Sequence, residues 1–403
     1  MAKRFELLDA LRACAVLLVV VSHAGAGNLV PGGAGVTVFF TISGFIITYV
    51  VMREYEKTNG FDVKLFYVKR LLKLLPPLVV CIVIPTLLYG VAHREVFGPL
   101  LAQIFFVYNW FAAYSFEGGL PGSHVTWSLG VEEQFYIGFA IIWVVLIRGQ
   151  RARRNLFWVA TVVALFSLIL RIVLAYQGAG FDRLYYATDA RLDSISIGIV
   201  ACLLVMRRKQ KQSSADREKP HDEATQKQGN ETQSRIDEWR QDSIVTEQSP
   251  AHAMGDSCSG SSWRRLSLLF MGVAIFVLAT APRSAIWQDT GRYFFQSLGI
   301  AMIIAYSFFP TADAVGDVME RLWSLKWIQT VGRASYSIYL AHLPTALLVI
   351  YLVPALNDLP LVVLVVVKTA IGVCAGLLVW TWVENPIERA RPRIVAKLVG
   401  HPV

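Results

Sequence analysis

Leu8–Gly25, LDALRACAVLLVVVSHAG, is the stretch that decides the fold. It is apolar over nearly the length a helix needs to cross a hydrocarbon core, yet it contains Arg12 and His23. At about 100° per residue, the eleven steps between them bring the helix back to within roughly 20° of its starting direction. The two side chains therefore share one face, about 16 Å apart along the axis, and Asp9 lies close to the same stripe. A charged side chain at the centre of a membrane helix costs about 3 kcal/mol, so such groups face protein or water and mark function by default. The simpler reading has Arg12 snorkelling and His23 resting at the interface. The remainder of the chain argues against it.

The 403 residues are 55% hydrophobic and only 17% charged, against about 25% in soluble domains. With a mean hydropathy of +0.49, the chain is expected to be an all-α, polytopic membrane bundle in contact with lipid bilayer. Bilayer-length apolar segments fall near 8–26, 34–52, 70–92, 126–147, 155–176, 186–206, 266–282, 292–309, 332–353 and 360–383, giving about ten spans. The first has no small-residue cleavage site and is expected to be retained rather than removed as a signal. The five cysteines are scattered without paired spacing, so neither a disulfide framework nor a metal site is expected. A net charge of +9 would suggest nucleic acid in a soluble protein. Here the basic residues sit at the ends of apolar segments, so they set orientation and nucleic acid is excluded as a partner.

The segment 98–114, GPLLAQIFFVYNWFAAY, is apolar but ambiguous. If it does not cross, Lys3/Arg4, Arg53–Lys73, Arg148–Arg154, Arg207–Arg265, Arg321/Lys326 and Arg389–Lys397 all fall on one side. Counting it as a span would place RGQRARR outside and break that bias. It is therefore expected to be a re-entrant or external amphipathic segment, with both termini cytoplasmic. Residues 207–265 are polar and mixed in charge, and are expected to form a disordered cytoplasmic loop between membrane cores at 1–206 and 266–403. A short helix near Ile236–Ile244 is conceivable within it, and the Asn230–Thr232 sequon is a chance match on that side.

Polar groups converge at several points. WSLGVEEQFY (127–136) brings two adjacent carboxylates into the membrane. Ser128, Glu132 and Tyr136 share a face, while Glu133 points about 100° away. His124, just before this segment, reads as interfacial. At the start of the sixth span, Asp189 and Asp193 share a face opposite Arg191, suited either to an interhelical ion pair or to substrate. ASYSIYLAHLP places Ser335, Tyr339 and His342 on one stripe, which serves packing or a site equally well. WTWVENPIER (380–389) reads as an interfacial anchor. FYVKRLLKLLPP brings Lys69, Arg70 and Lys73 to the base of the third span, for anionic lipid or for phosphate capture.

The chain resembles the acyltransferase-3 family of integral membrane O-acyltransferases. The resemblance rests on LDALRACAVLLVVVSH, FFTISGFIIT, VKRLLKLLPP, WSLGVEEQFY, ARLDSISIG, SYSIYLAHLP and VENPIE, in that order over almost the whole length. Its departures are the long 207–265 segment and, as an expectation, the lack of an appended external hydrolase-like domain. The KRLLK block is also poorer in arginine than is usual there.

The resemblance implies a cytoplasmic acyl-CoA donor, most simply acetyl-CoA, no bound cofactor, and a hydroxyl of a surface glycan or glycolipid as acceptor. A plasma membrane location, most simply a bacterial inner membrane, follows from such acceptors. In that setting His23 is expected to be the general base, with Glu132 or Glu133 holding its tautomer. Arg12 would bind the thioester carbonyl or a CoA phosphate. Asp9, Lys69, Arg70, Ser128, Tyr136, Arg191, Asp193, Tyr339 and His342 complete the expected substrate contacts. A proton-coupled transporter or flippase using the same polar groups as a relay is the rival reading.

Overall fold

The computed structural model describes residues 3–114, 118–218, 259–282, 284–308 and 314–399, and every regular element in these stretches is helical. The α-helices are α1 (Lys3–Val21), α2 (Gly32–Thr58), α3 (Val63–Leu78), α4 (Ile84–Tyr89), α5 (Phe97–Ile104) and α6 (Tyr108–Ala113). They continue as α7 (Trp127–Leu146), α8 (Ala152–Tyr176), α9 (Phe181–Tyr186), α10 (Leu192–Glu218), α11 (Ser259–Thr280) and α12 (Ala285–Asp289). The last are α13 (Arg292–Ser307), α14 (Ala314–Trp323), α15 (Lys326–Arg333), α16 (Ser335–Leu352), α17 (Leu361–Val379) and α18 (Asn385–Val399). Burying the backbone's polar groups in hydrocarbon leaves helices as the way to satisfy them within each segment.

Among the described residues, seven helical stretches are long and apolar enough to span a bilayer: Glu6–Ala26, Gly32–Thr58, Val63–Tyr89, Ser123–Leu146, Ala152–Tyr176, Ser335–Leu352 and Leu361–Leu398. The protein is a multi-pass membrane protein. The other three expected spans fall on α10, α11 and α13, where α13 packs on α11, α10 and α2, and α10 also packs on α2. Within α11 the apolar stretch Leu266–Thr280 is shorter than a full crossing. α13 reads as less apolar because it faces protein: Gln296 and Ser297 are fully buried, and Gln296 donates to the Thr280 hydroxyl at 2.9 Å.

The segment 98–114 does not form one span. It breaks into α5 and α6 around Phe106, a non-glycine residue at φ 57°. Gln134 on α7 fixes the break by donating to the Phe106 carbonyl at 2.7 Å. The expected loop at 207–265 is helical at both ends, since α10 runs on to Glu218 and α11 begins at Ser259. RRKQKQSSADRE is rich in straight-chain residues that lose little entropy in a helix, so α10 continues past the membrane. Residues 219–258, including the 236–244 segment and the 230–232 sequon, lie outside the described residues.

α2 is the central post, buried along most of its length and packed by α1, α10 and α13. Its crossing with α10 is backbone on backbone. A Cβ at Gly44 would strike the Ile195 carbonyl, and one at Gly198 the Thr41 carbonyl. Lipid offers no hydrophobic reason for helices to associate, so this close van der Waals approach of small residues supplies the attraction.

Candidate functional site

Two polar clusters sit at opposite ends of α1. The first surrounds a cavity of about 890 Å³, mouth included, between α1, α2, α3, α7, α15 and α16. Arg12, Arg70, Lys73 and Arg333 line it as cations, and Glu132 is the carboxylate in its wall. Ser43, Ser128, Tyr136, Ser335, Tyr336 and Tyr339 complete the polar lining. The helical spacing of Ser128, Glu132 and Tyr136 accounts for their common orientation on α7.

Each wall residue has an identifiable support. Glu132 accepts from the Ser43 hydroxyl at 3.1 Å. Arg70 forks onto Glu133, with Nε at 3.0 and 3.1 Å from the two carboxylate oxygens and Nη2 at 2.5 Å from Oε1. The guanidinium also lies over the Tyr136 ring, 3.2 Å from its centroid. Glu133 is thus committed to holding Arg70 rather than to facing the cavity. Arg12 is loosely paired with Asp9 at 3.6 Å, one turn back on the same helix. Arg333 is exposed at the mouth, close to Trp380.

The second cluster lies where α1 ends in a π-helical turn, Ser22–Ala26. Such turns shift the register by one residue and are frequent at functional sites. His23 Nδ1 is 2.9 Å from His342 Nε2, and the two rings stack at 5.2 Å with an angle of 6°. His342 is buried, and its Nδ1 faces the carbonyls of Tyr339 at 2.8 Å and Ile338 at 3.2 Å. A carbonyl only accepts, so His342 carries its proton on Nδ1 and presents a bare Nε2. His23 must then donate from Nδ1, which leaves its own Nε2 lone pair free on an exposed ring. Gly372 on α17 makes room for this arrangement, because a side chain there would meet the His342 backbone. The His124 ring, also exposed, sits edge-on to His23 at 6.1 Å. Lys368 lines the recess beside the histidine pair.

The clusters meet at Tyr339. Its ring lines the basic cavity, its hydroxyl accepts from Ser128 at 2.9 Å and donates to the Val125 carbonyl at 3.0 Å, and its carbonyl holds His342.

The structure therefore gathers Arg12, Arg70, Ser128, Glu132, Tyr136 and Tyr339 in one cavity, and His23 with His342 at another. The hydrogen-bonded neighbour of the His23 ring is His342, whereas Glu132 is bonded to Ser43 and Glu133 to Arg70. Lys69 does not line the cavity, being adjacent to Arg70 and so turned away on α3. Asp193 and Arg191 are fully buried outside both clusters. Asp193 pairs with Arg171 at 2.6 Å, and Arg171 also donates to the carbonyls of Thr290 and Ala190. Arg191 is enclosed by Tyr293, Tyr185 and Phe40 and donates to Thr37. Both arginines act as ties between helices. Replacing Asp193 by Ala should cost about 3 kcal/mol by leaving Arg171 uncompensated, read as lost thermal stability in detergent, whereas equal stability would remove this pair from the folding account.

Reading the sequence missed Arg333, Lys368 and Arg171, and took as interfacial both His124 and Glu384. The last is buried and accepts from the Ser337 hydroxyl at 2.5 Å, instead of anchoring at the interface. Lys368 and Arg171 each stand as a lone charge in an apolar run, the same signal that exposed Arg12. Among the described residues, no group of three or more histidine, cysteine, aspartate or glutamate side chains is arranged to hold a metal.

Comparison with known proteins bears on what such a site does. Residues 5–382 match the sequence model of the family described as "Acyltransferase domain". A "Putative O-acetyltransferase" of Staphylococcus aureus strain COL is 34% identical over 210 residues, 49% of this chain and 34% of that protein. The O-acetyltransferase OatA of S. aureus strain NCTC 8325 is 27% identical over 351 residues, 84% of this chain and 50% of that protein. The chain thus spans between about a third and a half of these relatives' length. No solved structure matches it significantly.

Proposed function

The chain belongs to the acyltransferase-3 family, and from that premise we propose that it transfers an acyl group, most simply acetyl, from a cytoplasmic acyl-CoA to a hydroxyl of an exported or cell-surface glycan. The observation that carries this reading is the hydrogen-bonded chain from the Tyr339 carbonyl through His342 to His23, which leaves one imidazole lone pair aimed outward.

His23 Nε2 takes the proton of the acceptor hydroxyl as its oxygen attacks the thioester carbon. The new C–O bond forms, the C–S bond breaks, and the proton passes from His23 to the departing thiolate. His342 keeps the attacking tautomer in place, the task a carboxylate performs in serine hydrolase triads. The basic cavity suits the donor: Arg12, Lys73 and Arg333 offer unpaired or weakly paired donors to phosphate, since the Arg70 fork is already taken by Glu133. The pantetheine arm would then run along Tyr339 towards His342. The charge bias of the loops supports placing this cavity on the cytoplasmic side and His23 on the other.

Arg333 is exposed, so its replacement tests the donor site without threatening the fold. Arg333→Glu should weaken acetyl-CoA binding about tenfold, the worth of one charge-assisted hydrogen bond. Retention of radiolabelled acetyl-CoA on purified protein in nanodiscs measures it. Affinity equal to wild type would place the donor elsewhere.

A further inference from the structure

One charge beside the histidine pair takes no part in the proton transfer: Lys368, alone in the apolar run LVVLVVVKTAIGVCAGLLV of α17. An ammonium within a membrane helix is costly unless it faces protein or water. Two directions are open to it, outward along the helix to lipid headgroups or inward to the histidines.

The packing of α17 decides between them. A Cβ at Gly372 or Gly376 would run into α16 at His342 or Ile338, so these glycines mark the stripe pressed against α16. Lys368 stands one turn before Gly372 on that stripe. Three residues further back, Val365 lies against Gly25 of the turn that carries His23, as does Leu361. The lipid side of the helix is instead Val362, Val363 and Val366, all exposed. Lys368 is half-buried, in the seam between the two places where α17 meets the histidine-bearing elements.

There it lines, with His23 and His342, a recess of about 260 Å³, mouth included. The other walls are Val20, Ala24, Leu343, Ala346 and Leu347, and no carboxylate is among them. The ammonium makes no hydrogen bond or ion pair with another described residue. Apolar walls leave such a charge weakly screened, which strengthens its action on any charge that develops beside it.

The reaction develops one. Attack on a thioester puts negative charge on the carbonyl oxygen, next to the base that takes the acceptor's proton. Arg12 lines the other cavity, about 16 Å back along α1 from His23, so the cation at this end is Lys368. We propose that Lys368 stabilises the oxyanion of the transfer, its ammonium donating to the thioester carbonyl oxygen while His23 takes the acceptor's proton. The proposal rests on the acyl-transfer reading above. As the acceptor oxygen bonds to the carbonyl carbon, the C=O π pair moves onto oxygen and Lys368 meets that charge without giving up a proton. When the carbonyl reforms, the C–S bond breaks and the thiolate takes the proton held by His23. A compact ammonium on a flexible four-carbon stem can follow the oxygen through both stages.

Two variants separate charge from shape: Lys368→Met keeps the apolar stem without the charge, and Lys368→Arg keeps the charge. Each is tested as full-length protein in membranes of a producing cell that lacks its own copy, which supply the native acceptor, with radiolabelled acetyl-CoA. At saturating donor, alkali-labile ester should form about 10²-fold more slowly in Lys368→Met, the cost of one oxyanion donor, and Lys368→Arg should recover much of that loss. Acetyl-CoA affinity and thermal stability of the purified variants should match wild type. Lys368→Met turning over at the wild-type rate would overturn the assignment. So would weaker acetyl-CoA binding with an unchanged saturated rate, the mark of a donor anchor, or equal losses of rate and stability in both variants, the mark of a tie between helices. If His23→Ala fails where Lys368→Met does not, acyl transfer stands without this role for Lys368. A wild type that neither binds nor consumes acetyl-CoA would overturn both.

Discussion

Replacing His23 with alanine should lower acyl transfer by about 10³-fold while leaving the protein folded and its affinity for acetyl-CoA unchanged. General-base catalysis contributes about 10² to 10⁴ in rate, and the hydrogen bond to His342 leaves the His23 Nε2 lone pair free for it. The ring is exposed at the end of α1, so its loss opens no core cavity, and the cost to stability should stay near the about 1 kcal/mol of its hydrogen bond to His342. The same exposure makes chemical rescue a fair check: added imidazole should restore part of the activity of His23→Ala. Single-turnover release of CoA measures the effect. A variant as active as wild type would remove His23 from the chemistry.

His342 should matter nearly as much, though it touches no substrate. With leucine in its place, the Nδ1–H of His23 loses its acceptor and the ring is no longer held in the attacking tautomer. A fall of about 10²-fold in kcat is expected, with acetyl-CoA affinity unchanged. Glutamine at 342 should recover much of that loss, because its amide oxygen can accept from His23 Nδ1 in place of the imidazole nitrogen. A purely structural residue would behave differently: the leucine variant would then match the glutamine variant, and both would show reduced stability rather than reduced kcat.

The two clusters differ in how much of them the sequence carries. Arg12 and His23 could be paired by arithmetic, because one helix and one period relate them. Ser128, Glu132 and Tyr136 followed from the same rule on α7. The partner of His23, however, is 319 positions away, and a single sequence has no signal for contacts at that separation. Adjacent glutamates looked suited to the task of orienting the imidazole, but Ser43 and Arg70 occupy them. The π-helical turn at Ser22–Ala26 is likewise invisible to a reading at 100° per residue.

For the fold, hydropathy marks a span plainly where apolar residues dominate the run, as in α2, and more weakly where buried polar residues interrupt it. α13 and α10 carry buried Gln296, Ser297, Asp193, Ser194 and Ser196, which depress their apolar score although each packs deep in the bundle. Arg191 reads as a functional charge by intramembrane cost, yet it lies against aromatic faces and donates to Thr37 inside the protein, and Arg171, which drew no such reading, is held by two carbonyls and a carboxylate. Cost of burial identifies where charges need partners. It does not say whether the partner is a substrate or another helix.

The most direct measurement uses inverted membrane vesicles containing the protein, with radiolabelled acetyl-CoA added to the exposed cytoplasmic face. Acetyl-CoA does not cross the bilayer, so label can reach a lumenal glycan only through the protein. The account predicts His23-dependent release of CoA, with label appearing in lumenal, alkali-labile ester. Vesicles that consume no acyl-CoA, but accumulate a glycolipid or small molecule in proportion to an imposed proton gradient, would contradict it and make the same polar groups a transporter's relay.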